Sequence, residues 1–386
     1  MEFLTQLHTK IGIIGGGQLG RMMIEEALRL NIQFNILDSA DCSCASLANQ
    51  HIIGKLTDGS AIRQLAGISD VLTYEIEHVD VQTLLELEKE GKLIIPSPKV
   101  LQIIQDKGAQ KQFFEQHQIP TAPFSLVDKP EDWPQAAVSL GGEKLVAKTR
   151  KDGYDGKGVT IFNVSTVHQP PFQVPSVIEK FIPCEKEISV MVARNQHGEL
   201  RTWPIVEMVF DPEANLVTFL DCPANLSEAI EEKATGLAIK TIESLQGIGV
   251  FAVEMFLTHA GEVLVNEVAP RPHNSGHHTI EACYTSQFEQ LVRILAQLPL
   301  GSTELIQPAV MMNLLGANEF SGNYRLDGLS EVMQMEGVYI HLYDKKESKP
   351  MRKMGHVTVV ANDLSSAKSK ALKVHQMLKF VPYKPL

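Results

Sequence analysis

The sequence predicts an α/β unit on a doubly wound parallel sheet at the N-terminus, followed by an α+β region and a β-rich C-terminal part. Three observations carry this expectation. A glycine-rich turn joins an apolar strand to a helical pattern near the start. Short strands alternate with Gly, Pro and Asp turns through the middle, and strand-like runs dominate after Leu298-Pro-Leu-Gly301. With 386 residues the chain is too long for one small core.

Lys10-Ile-Gly-Ile-Ile-Gly15 is short, isoleucine-rich and ends in glycine, as a buried parallel strand does. Apolar residues recur at helical spacing from Arg21 to Leu30, and Gln33-Phe-Asn-Ile-Leu37 forms a second strand that closes on Asp38. Together they make a βαβ unit. Val71–Tyr74 and Leu93–Ile95 read as strands around a helix at Val81–Glu90, and Pro96-Ser-Pro98 punctuates the end of this part. A helix is expected over Val100–His117. Strands follow at Leu145–Thr149, Val159–Phe162, Val177–Lys180 and Glu187–Ala193, a pattern suited to a domain that closes over a substrate. Val310–Leu315, Gly337–Leu342 and His356–Val360 are the late strands, and Ser365–Met377 is a final helix.

Composition narrows the function. A chain 44% hydrophobic and 21% charged is globular rather than disordered. No apolar run approaches the roughly 18 to 20 residues needed to span a bilayer. The segment Met1–His8 lacks the basic start and apolar core of a signal peptide, so a cytoplasmic location is expected. The five scattered cysteines argue against a disulfide scaffold or a four-cysteine zinc site. A net charge of −11 disfavours nucleic acid and anionic membranes as partners. The charge is uneven: residues 341–386 hold ten Lys/Arg against three Asp/Glu.

Five segments carry candidate chemistry. Gly15-x-Gly17-x-x-Gly20, between strand and helix, matches the dinucleotide fingerprint, and Asp38 stands where an acidic ribose ligand would. Alone, it supports either an NAD-dependent oxidoreductase or a tight turn that packs helix on sheet. Lys148-Thr-Arg-Lys-Asp-Gly153-Tyr-Asp-Gly-Lys-Gly158 predicts a mobile basic hairpin able to cover a polyphosphate, or a charged surface turn. Val250–Leu257 and Val263–Val268 read as a hairpin. If it turns about Ala260-Gly261, Glu254 and Glu267 stand directly opposite on one face. Two carboxylates there repel unless a proton or cation lies between them, and a hard divalent ion such as Mg²⁺ suits them. Strict alternation points Asn266 to the other face unless the strand is bulged.

Arg271-Pro-His273-Asn-Ser-Gly276-His277-His278-Thr279 precedes a helix expected from Ile280 and suits a phosphate, with histidine-bound zinc or a structural loop as alternatives. Lys345-Lys-Glu-Ser-Lys349-Pro-Met-Arg352-Lys353 is either a solvated turn or an anion contact.

Taken together, these segments resemble the ATP-grasp carboxylate–amine ligases, and within them the 5-(carboxyamino)imidazole ribonucleotide synthase family of purine biosynthesis. The residues that carry the resemblance are Gly15-Gly-Gly-Gln-Leu-Gly-Arg-Met22, Thr73-Tyr-Glu75-Ile-Glu77, Gly153–Gly158, Asn266-Glu267-Val-Ala-Pro-Arg271-Pro-His273-Asn-Ser-Gly-His277 and Arg352-Lys-Met-Gly-His356. The later motifs have no use in a dehydrogenase, so the resemblance displaces the NAD reading.

The resemblance implies an ATP-grasp fold. Residues 1–107 would form a Rossmann-like pre-ATP-grasp domain, 108–305 the ATP-grasp domain with a lid over roughly 120–190, and 306–386 a small β-rich domain. It implies ATP- and bicarbonate-dependent carboxylation of 5-aminoimidazole ribonucleotide through carboxyphosphate, with Mg²⁺ or Mn²⁺ as cofactor and a homodimeric assembly. Lys107 and Lys148 would contact ATP phosphates, covered by Gly153, Tyr154, Asp155, Gly156, Lys157, Gly158 and Val159. Glu179, Lys180, Phe181 and Ile182 would hold adenine through backbone groups, and Glu187 the ribose hydroxyls. Glu254 and Glu267 would bind metal, with Asn266 beside them. Gly17, Gln18, Leu19, Glu75, Asn274, Ser275, Gly276, Lys345 and Arg352 would hold the ribonucleotide, with Tyr154, Asp155 and Lys353 near carboxyphosphate. The chain departs from the family pattern at Asp152, Val159, Phe210, His278 and Asp344. None of these removes a metal ligand or a loop glycine.

Overall fold

The computed structural model describes residues 8–151, 153, 158–165, 169–211 and 216–383. Tyr154, Asp155, Gly156 and Lys157, as well as Asp152, lie outside the described residues, and so does the side chain of Phe210.

Strands β1 (Lys10–Ile14), β2 (Gln33–Asp38), β3 (Gln50–Ile53), β4 (Val71–Tyr74) and β5 (Leu93–Ile94) form a parallel sheet in the order β3-β2-β1-β4-β5. The order reverses between β1 and β4, which opens a crevice at their carboxyl ends. Helix α1 (Gln18–Leu28) begins there. It starts earlier than its apolar periodicity indicates, because Gly17 serves as its N-cap and Gln18-Leu19-Gly20 is already helical.

The helix expected over Val100–His117 is two helices, α2 (Pro98–Ile104) and α3 (Lys107–Gln116). Asp106 ends the run by capping α3, its carboxylate accepting from the N–H groups of Gly108 and Ala109. The same carboxylate takes two hydrogen bonds of 2.8 Å from the Arg150 guanidinium. A side chain on residue 108 would meet Arg150 Nε at 2.7 Å, so Gly108 leaves room for this pair. Apolar spacing continues across the break and conceals it.

Strands β6 (Phe124–Val127), β7 (Lys144–Thr149), β8 (Val159–Asn163) and β9 (Ser176–Lys180) form a separate antiparallel sheet, ordered β6-β9-β7-β8. The large sheet begins with β10 (Cys184–Arg194), longer at both ends than the sequence reading had it. It continues with β11 (Leu200–Thr202), β12 (Val206–Asp211), β13 (Leu216–Cys222), β14 (Gly249–Thr258) and β15 (Val263–Ala269). The sheet then passes without interruption from β13 into β16 (Ala309–Leu315) and, after β17 (Tyr324–Asp327), into β18 (Val338–Leu342) and β19 (Lys353–Val360). Strand β20 (Lys379–Pro382) pairs with β17.

Two apolar clusters clamp the large sheet. On one face, Phe251, Val253, Met255 and Leu257 pack under the helix Glu228–Ser244 through Ala234, Leu237, Ala238 and Ile242. On the other, Val250 and Ala252 join Met22 and Met23 of α1 and the helix Gln287–Leu295. That second contact fixes the crevice of the parallel sheet over β10 and β14. The helix expected from Ile280 is only the four residues Thr279–Ala282, ended by extended Cys283. No helix among the described residues is long and apolar enough to cross a membrane.

Replacing Asp106 by Ala removes both a helix cap and the Arg150 pair. The expected loss is about 2 kcal/mol, combining a cap of roughly 1 kcal/mol with a charged hydrogen-bonded pair. Chemical denaturation checks this, and a change below about 0.5 kcal/mol would contradict the bracing role.

Candidate active site

The glycine-rich turn is already filled from within the protein. The Glu75 carboxylate, at the end of β4, accepts hydrogen bonds from the N–H groups of Gly17 and Gly20. A Cβ on Gly15, whose φ is +107°, would meet Glu75 Cγ at 2.4 Å. Asp38 accepts from Gly16 N at 2.7 Å. Asp38 and Glu75 thus hold the loop itself, and its amide donors face carboxylates instead of a pyrophosphate. Burial raises the pKa of Glu75. Lys345 reaches the same corner, with Nζ 3.3 Å from Gln18 Oε1, and burial lowers its pKa. Asp344 before it has φ +52°, the left-handed region, which explains why a glycine suits that position.

Glu254 and Glu267 are direct partners across the β14–β15 hairpin, as the sequence predicts. The route to that register differs from the simple one. Near the turn, Leu257 pairs with Val263, Phe256 with Leu264 and Met255 with Val265; one extra residue, Asn266, then precedes the Glu254–Glu267 pair. This β-bulge swings Asn266 toward the side of Glu267 and reverses the strand's alternation. Val263 and Val265 face the core before the bulge, and Val268 faces it after. Asn266 Oδ1 then accepts from Lys148 Nζ at 2.9 Å.

The two carboxylates are electrostatically unequal. Lys107 Nζ donates to Glu267, and that charge holds Glu267 below the usual carboxylate range. Burial opposes the charge on Lys107, yet Glu267 keeps its pKa above the ordinary lysine value. Glu254 is raised, first by burial and then by repulsion from Glu267 and Glu187. Burial also pushes Glu187 up to about 7. His273 Nε2 lies 3.6 Å from Glu254.

Lys107, Glu254, Glu267 and His273 open onto one cavity of about 970 Å³. Gln18, Leu19 and Glu75 line it from the parallel sheet, Lys107, Glu254 and Glu267 from the centre, and Lys353 and Asn313 from the late strands. Asn274 and Ser275 also line it, on a short 3₁₀ turn. The Ser275 hydroxyl faces inward, 3.0 Å from Ser189 Oγ and 2.9 Å from His273 Nδ1. The cavity wall therefore receives backbone there, and Gly276 makes room for Gln287.

Three stretches of the chain match known domain families. Residues 8–105 match the ribonucleotide synthetase preATP-grasp domain, 112–288 the ATP-grasp domain, and 309–370 the phosphoribosylaminoimidazole carboxylase C-terminal domain. The Bacillus subtilis N5-carboxyaminoimidazole ribonucleotide synthase is 38% identical over 353 residues, covering 90% of each chain. The chain belongs to the N5-carboxyaminoimidazole ribonucleotide synthase family. The ATP-grasp fold expected from the sequence is thereby established. The solved N5-carboxyaminoimidazole ribonucleotide synthetase of Thermotoga maritima superposes with a TM-score of 0.88 at 44% identity, covering 97% of this chain and all of that one. A solved Aspergillus clavatus N5-carboxyaminoimidazole synthase, in complex with ADP and 5-aminoimidazole ribonucleotide, gives 0.87 at 33% identity over 96% and 98% of the two chains. The Vigna aconitifolia phosphoribosylaminoimidazole carboxylase is 38% identical, and the present chain spans 65% of its length.

Several residues that the sequence assigned to the N5-carboxyaminoimidazole ribonucleotide synthase site lie beside the cavity instead of on its wall. Glu179 is buried on β9 of the four-stranded antiparallel sheet, Lys180 is exposed, and Phe181 packs under Lys144 Nζ at 5.1 Å. Ile182 lies at the junction with β10, Glu187 lies within β10 opposite Phe256, and Val159 pairs with Lys148. Gly158, with φ +73°, packs on Thr149. Arg352 bonds the Glu347 carbonyl at 3.0 Å, near Lys345. Sequence reasoning gave Glu77 no role. It forms a 2.9 Å ion pair with Arg271, and both line the cavity. The alternating acids of Thr73-Tyr-Glu75-Ile-Glu77 were the available signal.

Because the folded-state pKa of Glu254 is raised, its contribution to stability is present below the unfolded value of about 4.3 and lost as pH rises through the folded value. Glu254→Gln should therefore raise the melting temperature of the metal-free protein, by a few degrees in order of magnitude, and more at pH 8 than at pH 5. Thermal melts at the two pH values check this, and a destabilisation that grows with pH would contradict it.

Proposed function

We propose that the chain uses ATP and bicarbonate to carboxylate 5-aminoimidazole ribonucleotide, giving N5-carboxyaminoimidazole ribonucleotide, ADP and phosphate. The observation that carries this reading is the shared cavity. It joins the glycine turn, the paired glutamates and Lys353 from three parts of the chain, while Glu75 fills the place a dinucleotide would need.

Bicarbonate is a poor electrophile. An oxygen of bicarbonate attacks the γ-phosphorus, the bond to the ADP oxygen breaks, and carboxyphosphate forms. The exocyclic amine of the ribonucleotide then attacks the carboxyl carbon. Phosphate leaves with the C–O bonding electrons, and the amine loses a proton. Positioning and charge neutralisation are the protein's tasks, and no covalent nucleophile is needed.

Lys107 and Lys148 would hold the ATP phosphates beneath the Gly153–Gly158 segment. Glu179–Ile182 would receive adenine and Glu187 the ribose hydroxyls. Gly17, Gln18, Leu19, Glu75, Asn274–Gly276, Lys345 and Arg352 would hold the ribonucleotide. Tyr154, Asp155 and Lys353 would orient the carboxyphosphate carboxyl group. The division at 107 and 305 would place most of the nucleotide contacts in the middle part and draw the ribonucleotide contacts from all three parts.

Glu254 and Glu267 fit a hard divalent ion. Both are oxygen donors on one face, and burial with mutual repulsion destabilises Glu254 as an anion unless positive charge approaches. Among the described residues no group of three or more His, Cys, Asp or Glu could hold a metal, which suits an ion that keeps water and nucleotide oxygens around it, as Mg²⁺ does. When bound, such an ion neutralises charge on the phosphate oxygens. The same reading includes a homodimer, which sedimentation equilibrium measures directly.

Phosphate release from ATP should be stimulated by 5-aminoimidazole ribonucleotide with bicarbonate present. No stimulation would contradict the assignment, and oxidation of NADH would revive the dehydrogenase alternative. Glu267→Gln should lower turnover by at least about 100-fold, in line with loss of an electrostatic group at the reacting centre. Retained activity would show that the glutamate pair has another role.

A further inference from the structure

Lys111, on α3, has no place in the roles described so far, yet it is almost completely buried. Its side chain is 3% exposed, and Nζ lies 3.1 Å from Glu179 Oε2. Lys148 Nζ lies 2.9 Å from the other oxygen, Glu179 Oε1, with 10% of its own side chain exposed. One buried carboxylate thus bridges two ammonium groups. Lys111 also donates to Thr121 Oγ1 at 2.7 Å, and Thr121 donates to the Val265 carbonyl at 2.6 Å, next to the Asn266 bulge. Burial lowers the pKa of Lys111 to about 8, a sign of how expensive its charge is to keep there. Burial opposes ionisation of Glu179 as well, but the two lysines hold its pKa below the ordinary value.

The charge count gives this arrangement a purpose. A lone Glu179 would neutralise Lys148, leaving that ammonium without net attraction for an anion. With Lys111 on the far oxygen, the trio carries one uncompensated positive charge, and only the Lys148 end reaches toward Asn266 and the glutamate pair. We propose that Lys111 is a positioning residue that occupies Glu179 so that Lys148 keeps its charge for a polyphosphate. Lys111 touches no substrate in this scheme. The inference rests on the nucleotide reading above and extends it to a residue behind the site.

The test is the affinity for ADP with Mg²⁺, measured by calorimetry on the full chain. Lys111→Met should weaken binding about tenfold or more, the scale of removing one unit charge from a partly buried site. The double variant K111M/E179Q removes one charge of each sign and keeps an oxygen acceptor for Lys148, so it should recover to within about threefold of wild type. A merely structural role for Lys111 would not be rescued by a second substitution. Wild-type affinity in Lys111→Met, or a double variant as weak as the single one, would overturn the proposal. Should Lys111→Met not fold, Lys111→Gln decides, because its amide keeps a donor for Thr121 and Glu179 without the charge: a tenfold loss supports the proposal, and wild-type affinity overturns it. Wild type that fails to bind ADP would overturn the nucleotide reading itself, and needs no variant to be recognised.

Discussion

Two carboxylates held across a hairpin from each other, in a wall of apolar strand residues, are the constraint around which the site is organised. Glu254 and Glu267 repel across the hairpin, and burial adds to the cost of charge on Glu254. Positive charge is arranged around them, with Lys107 on Glu267 and Lys148 on the adjacent Asn266, while the His273 ring lies near Glu254. The Asn266 bulge lets two successive side chains of one strand serve the same face, which a regular strand cannot do. The clusters on either side of β14 keep this geometry rigid, so repulsion between the glutamates persists instead of relaxing by strand movement.

The acidic balance of the chain acquires a local meaning in this light. Net charge −11 would repel the proposed substrates, ATP, bicarbonate and a ribonucleotide phosphate, all of them anions. The cavity counters it with few groups, drawn from distant parts of the sequence. Lys107, Arg271 and Lys353 line the wall, and Lys345 reaches the glycine turn from the basic C-terminal stretch. Carboxylates hold several cations around the cavity: Asp106 holds Arg150, Glu77 holds Arg271, and the buried Glu179 is shared between Lys111 and Lys148. The positive surplus after residue 340 supplies one side of the cavity through Lys345 and Lys353, while much of the rest stays solvated.

Local patterns were legible where they are short-ranged. The apolar strands of the parallel sheet, the glycine turn and the glutamate pairing all follow from spacing. What could not be read came from distant residues. The glycine fingerprint shows that amides converge, but not that Glu75, 55 residues beyond Gly20, would fill them. The Val100–His117 periodicity runs through a break that Asp106 and Arg150 make together, 44 residues apart in sequence. Hairpin arithmetic found the right glutamate partner from a turn one residue out of register, and the bulge supplied the difference. Alternation alone put Asn266 on the wrong face, because its direction is tied to Lys148 on another sheet. The helix Glu228–Ser244 was legible in principle. Its buried Ala234, Leu237, Ala238, Thr241 and Ile242 keep helical spacing, but small residues make that stripe faint.

Placement of a divalent ion by the glutamate pair is the central claim, and anomalous diffraction from crystals grown with Mn²⁺ and ADP tests it most directly. The account predicts anomalous density between the carboxylates of Glu254 and Glu267, with Lys107 displaced from its contact with Glu267. Density elsewhere in the cavity, with the Lys107–Glu267 pair intact, would contradict it.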